Sequence, residues 1–168
     1  MTALDLSGPI PSGSVLLEAS AGTGKTFALT TLIARSLAEG LVDIDNLLVV
    51  TFTRATAREL RDKVRDKITE ATAALRQADG PPEPWISPLV AGSATERAER
   101  LAHLQAAAID LDRAWITTIH GFCRQALQLL GAQGGLPRDT ALEGDSSKAR
   151  RQAVRDAVLV ELLHQPDG

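Results

Sequence analysis

The sequence is poor in aromatic residues (3%, with no Tyr), has a single cysteine, Cys123, and carries no surplus of positive charge. Each shortage excludes something. One cysteine allows no internal disulfide, which suits a reducing compartment. With a net charge of −3 and a pI of about 5.6, the chain is unlike the small modules that hold nucleic acid by bulk positive charge. A nucleic-acid contact would need a local strip of cations instead. No apolar run approaches the roughly 20 residues of a membrane-spanning helix. Met1 to Pro11 lacks the basic start and apolar stretch of a secretion signal. The expectation is a cytoplasmic chain with no membrane partner. Hydrophobic residues still make up 44% and charged residues 23% of 168 positions. Those are ordinary values for one domain with a real core, which must rest on Leu, Val, Ile and Ala.

The hydrophobic pattern alternates in type along the chain. Residues 1–14, rich in Pro, Gly and Ser, read as an extended lead-in. Val15, Leu16 and Leu17 form a candidate buried strand. Phe27, Leu29, Leu32, Ile33 and Leu37 recur at helical spacing, with Gly40 as the stop. Leu47 to Phe52 predicts a second strand, apolar on both faces as a central parallel strand is. Leu60, Val64, Ile68, Ala71 and Leu75 mark an amphipathic helix starting near Thr53. Gly80 to Pro88, with its prolines, is expected to be irregular. Ser93 with Glu96 is a capping-box pattern that opens a helix to about Asp110. Trp115 to Thr117 predicts a third strand, followed by a helix from near Ile119 to Leu130. Gly131 to Gly144 reads as a loop, and a last helix, capped by Asp145, ends near Leu163. Alternating strand and helix argue for an α/β fold with a parallel sheet. The domains expected are 15–131, carrying the chemistry, and 132–168, a loop and helix that begin a helical subdomain.

The sharpest chemical signal is Ala19-Ser20-Ala21-Gly22-Thr23-Gly24-Lys25-Thr26. Apart from Ala19 in place of the first glycine, it follows the phosphate-loop pattern and stands between an expected strand and an expected helix. Gly22 and Gly24 let the backbone curl so that N–H groups point at phosphate oxygens. The start of the following helix adds positive dipole. Lys25 is placed to reach the β- and γ-phosphates, and Thr26 offers its hydroxyl to Mg²⁺. ATP with Mg²⁺ is the expected ligand, bound by residues 19 to 26. Cys123 and His120 are too few to make a metal site of their own.

Two further phrases sit at strand ends: LVVTFTRATAREL from Leu48 to Leu60, and ITTIHGFC from Ile116 to Cys123. With EASAGTGKT they resemble the UvrD/RecB group of superfamily-one DNA helicases, and within it the RecB type more than the UvrD, Rep or PcrA types. The resemblance covers about residues 15–130. It implies a P-loop NTPase (RecA-like) parallel sheet flanked by helices, here incomplete and with helical additions. It also implies ATP-driven 3′→5′ movement on single-stranded DNA in break repair and recombination, with RecC- and RecD-like partners and, in some members, a nuclease. By position, Phe52 would stack on a DNA base, and Thr51, Thr53, Arg54, Thr118 and His120 would contact the strand.

Each of these residues also has a plainer reading. Phe52 continues an apolar strand and suits the core. The threonines, Thr117 among them, suit strands and helix caps. His120 can serve as a structural hydrogen-bonding residue. Arg54 stands at a helix start, where a cation is locally unfavourable, and many relatives have Asn or Glu there. The charges after Thr53, from Arg58 to Lys67, are read as a solvated face with ion pairs. All three strand ends should share one edge of the sheet.

The family's Walker B carboxylate phrase, of the form Asp-Glu-Phe-Gln-Asp, does not occur before Gly168. The expectation is a fragment that binds nucleotide without hydrolysing it. Apolar surface should be exposed where the rest of the motor would sit. Two other readings stay open: a small P-loop kinase, and a non-catalytic nucleotide-binding module. The kinase would need a lid and an acceptor site, and no convergent residues supply either.

Overall fold

A computed structural model describes residues 4–18, 20, 22, 24–76, 83–130 and 147–163. The chain forms two compact units, Met1–Cys123 and Arg124–Gly168.

In the first unit, α1 (Lys25–Ala38) buries Thr30, Ile33, Ala34 and Leu37. It ends in a Schellman turn. The Gly40 N–H donates to the Leu37 carbonyl at 3.2 Å and the Leu41 N–H to that of Ser36 at 2.9 Å. Gly40 takes the left-handed φ of 68° that this stop requires. A 3-10 turn at Ile44–Asn46 leads into β1 (Leu48–Thr51). The Thr53 hydroxyl then accepts from the Thr56 N–H at 3.1 Å, capping α2 (Arg54–Arg76). Buried Ala57, Leu60, Val64, Ile68 and Ala71 keep the spacing of one helix face. After α3 (Ser87–Val90), α4 (Ala94–Ile109) opens with the expected capping box between Ser93 and Glu96. A 3-10 turn at Leu111–Arg113 leads to β2 (Trp115–Thr118) and α5 (Ile119–Leu130). The second unit holds the end of α5, and α6 (Ser147–Leu163).

β1 and β2 pair in parallel, Leu48 opposite Trp115 through Thr51 opposite Thr118. Parallel pairing needs a crossover, and α2 to α4 provide it. The fold is therefore mixed α/β with a small parallel sheet. Val49 and Ile116 pack into one core with Leu37 of α1, Val64 and Ile68 of α2, and Leu104 of α4. Among the described residues no helix is long and apolar enough to cross a membrane.

Four expectations need correction. Val15 to Leu17 form no strand: they lie outside regular structure, and Leu16 is 81% exposed. A strand persists only where a neighbour takes its backbone hydrogen bonds, and the sheet among the described residues is β1 and β2 alone. For the same reason β1 is not buried on both faces, since Leu48 and Val50 are exposed. The proline-rich stretch is not wholly irregular. Ser87 and Pro88 begin α3, with proline in the first turn, where its missing N–H costs nothing. The preceding Trp85 and Ile86 are core residues. Finally, Arg61 does not belong to a freely solvated face. It donates to the carbonyls of Ala114 and Ile116 at 3.4 and 3.2 Å, fastening α2 to the start of β2. Elsewhere on α2 the expected ion pairs form, Lys63 with Glu59 at 2.7 Å and Arg65 with Asp62 at 3.3 Å. The expected loop from Gly131 to Gly144 and the cap at Asp145 lie outside the described residues.

The lead-in turns at Asp5–Gly8, where Ser7 donates to the Asp5 carboxylate at 2.6 Å. Arg35, 2% exposed, donates to the carbonyls of Leu6 and Gly8 at 2.8 and 2.7 Å. It is neutralised by Glu39 at 2.6 Å, as a buried cation must be.

Candidate nucleotide and nucleic-acid site

Of the eight loop residues, Ser20, Gly22, Gly24, Lys25 and Thr26 are described, and Ala19, Ala21 and Thr23 lie outside the described residues. Gly22 and Gly24 adopt φ of 79° and 92°, the left-handed region that side chains resist. A Cβ at either would meet nothing within 4 Å, so conformation and not crowding selects glycine. Gly24 is the N-cap of α1 and supplies no side-chain oxygen. The helix start therefore carries no side-chain cap from its N-cap residue, and its N–H groups point toward the loop end. The Lys25 Nζ donates to the Ser20 carbonyl at 2.9 Å, folding the loop onto itself. Thr26 is exposed, and its carbonyl accepts the Thr30 hydroxyl at 2.9 Å, which fixes the first turn from below. N–H groups, an ammonium and a hydroxyl on one short loop form a donor set that fits a triphosphate and its Mg²⁺. Among the described residues no three His, Cys, Asp or Glu side chains gather into a separate metal site.

The strand tips form the second candidate region. Pairing of Thr51 with Thr118 brings the residues after each strand to one edge. Phe52 is 88% exposed, which removes the core reading. Arg54 opens α2 and His120 is the second residue of α5, both exposed. The threonine hydroxyls have local work. Thr51 Oγ1 donates to the Thr53 carbonyl at 3.2 Å, Thr53 caps α2, and Thr118 accepts the Gly121 N–H at 3.1 Å. Capping therefore accounts for Thr53 and Thr118 without a ligand. Nothing in the sequence pattern singles out Gly121, yet the fold depends on it. A Cβ there would collide with the Thr117 hydroxyl, so any larger residue must turn that hydroxyl away or move the start of α5 from β2. Phe122 then meets Trp115 edge to face at 5.8 Å.

The two strand tips share an edge, but the phosphate loop is not carried there by a strand. The first turn of α1 meets α2 at Lys67, whose Nζ lies 4.6 Å from the centre of the Phe27 ring. At 1.5 Å per residue, Lys67 is about 20 Å along α2 from Arg54. With Val15 to Leu17 outside the sheet, no backbone ladder among the described residues ties the loop to the carboxyl edge of β1 and β2.

The sequence model of the UvrD/REP helicase N-terminal domain matches residues 7–165. The chain is 41% identical over 168 residues to the RecBCD enzyme subunit RecB of Mycobacterium tuberculosis strain CDC 1551, covering 98% of this chain and 15% of that protein. It is 37% identical over 131 residues to the RecB subunit of Chlamydia trachomatis serovar D, covering 76% of this chain and 13% of that protein. The RecB subunit of Escherichia coli K12 is 36% identical over 154 residues, covering 86% of this chain and 13% of that protein. The chain thus spans a small part of the length of these relatives.

Proposed function

We propose, since the chain belongs to the UvrD/REP helicase N-terminal domain family, that it is the ATP-binding front portion of a RecB-type 3′→5′ DNA helicase acting in break repair and recombination. The observation that carries this reading is the loop from Ser20 to Thr26. It enters α1 through a left-handed Gly24 and presents Lys25 and Thr26 at the helix start. In this reading residues 19–26 hold ATP. Backbone N–H groups and Lys25 bind phosphate oxygens, and Thr26 gives its hydroxyl to Mg²⁺. ATP supplies the phosphoanhydride bond whose cleavage drives the motor. The Lys25 ammonium has three N–H donors, so beside its bond to the Ser20 carbonyl it can also donate to a charged phosphate oxygen.

Single-stranded DNA passes over the strand tips, with Phe52 stacking on a base and Thr51, Thr53, Arg54, Thr118 and His120 along the backbone. The exposure of Phe52 supports that role. The exposed apolar side chains of Leu16, Leu48 and Val50 support further cover from the rest of the whole protein. The whole protein assembles with RecC- and RecD-like subunits, following the names of the relatives, in the cytoplasm. The 168-residue chain by itself binds nucleotide without turnover, because its sequence holds no Walker B carboxylate pair.

Fluorescence anisotropy with a labelled oligo-dT tests the DNA half of this reading. Phe52→Ala is expected to weaken binding about 5- to 150-fold, the value of one stacked base. Equal affinity in parent and variant would remove Phe52 from the DNA path. Substantial ATP turnover by this chain alone would refute the hydrolysis-deficient reading.

A further inference from the structure

Burial along α1 begins at Thr30, and Lys25, Thr26 and Phe27 are exposed. The far end of the helix is fastened by the core and by Arg35, whereas the end that bears the candidate phosphate ligands projects from it. A tertiary contact from α2 reaches the first turn. Lys67 on α2 holds its Nζ 4.6 Å from the Phe27 ring centre and 4.7 Å from the Trp85 ring centre. The same nitrogen donates to Glu70 at 2.6 Å. Trp85 is 1% exposed, and its indole Nε1 is buried without a hydrogen-bond partner among the described residues. Packing and the cation, not a polar anchor, therefore fix that ring. Lys67 itself is largely withdrawn from solvent, which strengthens attraction between a cation and two ring faces.

We propose that Lys67 is a positioning residue for the phosphate loop. Pinned between the core ring of Trp85 and the ring of Phe27, it sets where the first turn of α1 stands, and through that turn Lys25 and Thr26. A Leu or Met could fill the same volume but would attract neither ring face electrostatically and could not pair with Glu70. Lys67 acts through Phe27, the neighbour of Thr26, and not as a phosphate ligand itself. The proposal rests on the nucleotide reading of the loop given above.

The test uses the full 168-residue chain as parent, Lys67→Met, Lys67→Arg and Phe27→Leu. Amide hydrogen exchange is read at Ala28 to Thr30, whose hydrogen bonds close the first turn (Ala28 to Gly24 at 2.8 Å), and at Leu37 and Ala38 at the far end. MgATP affinity is read by equilibrium dialysis. Lys67→Met and Phe27→Leu are expected to speed exchange at Ala28 to Thr30 and to weaken MgATP about five- to tenfold, while Leu37 and Ala38 stay as in the parent. Lys67→Arg, which keeps the cation, is expected to restore both. Unchanged exchange at the first turn, acceleration along the whole of α1, unchanged MgATP affinity in Lys67→Met, or failure of Lys67→Arg to restore would each overturn the proposal. Should the parent itself bind no MgATP, the nucleotide reading falls, and the exchange arm still decides whether Lys67 sets the first turn.

Discussion

Val49 and Ile116 are register partners buried beneath α2, whereas Leu48 and Val50, their neighbours along β1, stand exposed. The two faces of the sheet come from the same four-residue strands and the same apolar residue types. What differs is cover. On the inner face α2 packs against both strands, and α1, α4 and Trp85 complete the same core. The outer face, the segment from Val15 to Leu17 and the strand tips have no comparable layer among the described residues. The described residues proposed to touch ATP or DNA lie on the open part. Stability and ligand binding are thus assigned to different regions, and substitutions can separate them.

The largest contrast is between Leu104, 0% exposed, and Val50. Leu104→Ala should cost about 2–5 kcal/mol in urea unfolding, and Val50→Thr about 0.5 kcal/mol or less. A large loss from Val50→Thr would mean that the outer face is covered after all. Gly121→Ala drives a Cβ onto the Thr117 hydroxyl and should cost about 1–3 kcal/mol, although Gly121 adjoins the open edge. Its failure to destabilise would show that the Thr117 hydroxyl turns aside and that glycine is not required at the start of α5. Thr53 separates capping from ligand binding. Thr53→Ala should lose about 1 kcal/mol of stability and Thr53→Ser almost none, whatever either does to DNA affinity. The smallest effect is in acid. The backbone N–H and hydroxyl of Ser93 hold the Glu96 carboxyl below its ordinary value of 4.5. That contribution is complete above the ordinary value and is lost as pH falls through the lowered one. Ser93→Ala should therefore reduce the loss of stability between neutral and acid pH, read from urea midpoints. An unchanged acid limb would exclude the hydroxyl as a source, since this variant keeps the backbone N–H bond to Glu96.

The elements that rest on local signals were readable from sequence. The spacing of Leu60, Val64 and Ile68, the Ser93–Glu96 box, the Gly40 stop and the Gly-Lys-Thr at the head of α1 all stand where residue pattern alone puts them. What could not be read was cover and distant pairing. An apolar run such as Val15 to Leu17 records what a segment could bury, not whether a neighbour is present to bury it. Phe52 has the pattern of a continuation of β1, yet the strand ends one residue earlier and the ring turns to solvent. Arg35, Arg61 and Lys67 are charges on helices, with nothing local to mark them as clamps, because their partners lie on other elements of the fold. Of the candidate site, the loop was legible from its glycines. Its station beside Lys67, about 20 Å along α2 from the strand tips, depends on those distant contacts.

The most direct measurement is MgATP binding by equilibrium dialysis, comparing the parent chain with Lys25→Ala. Saturable binding by the parent, weakened about tenfold or more when the ammonium is removed, with an unchanged urea midpoint, is the predicted result. A parent that takes up no MgATP, or a Lys25→Ala chain that binds it equally well, would contradict the assignment of the glycine loop as the nucleotide site.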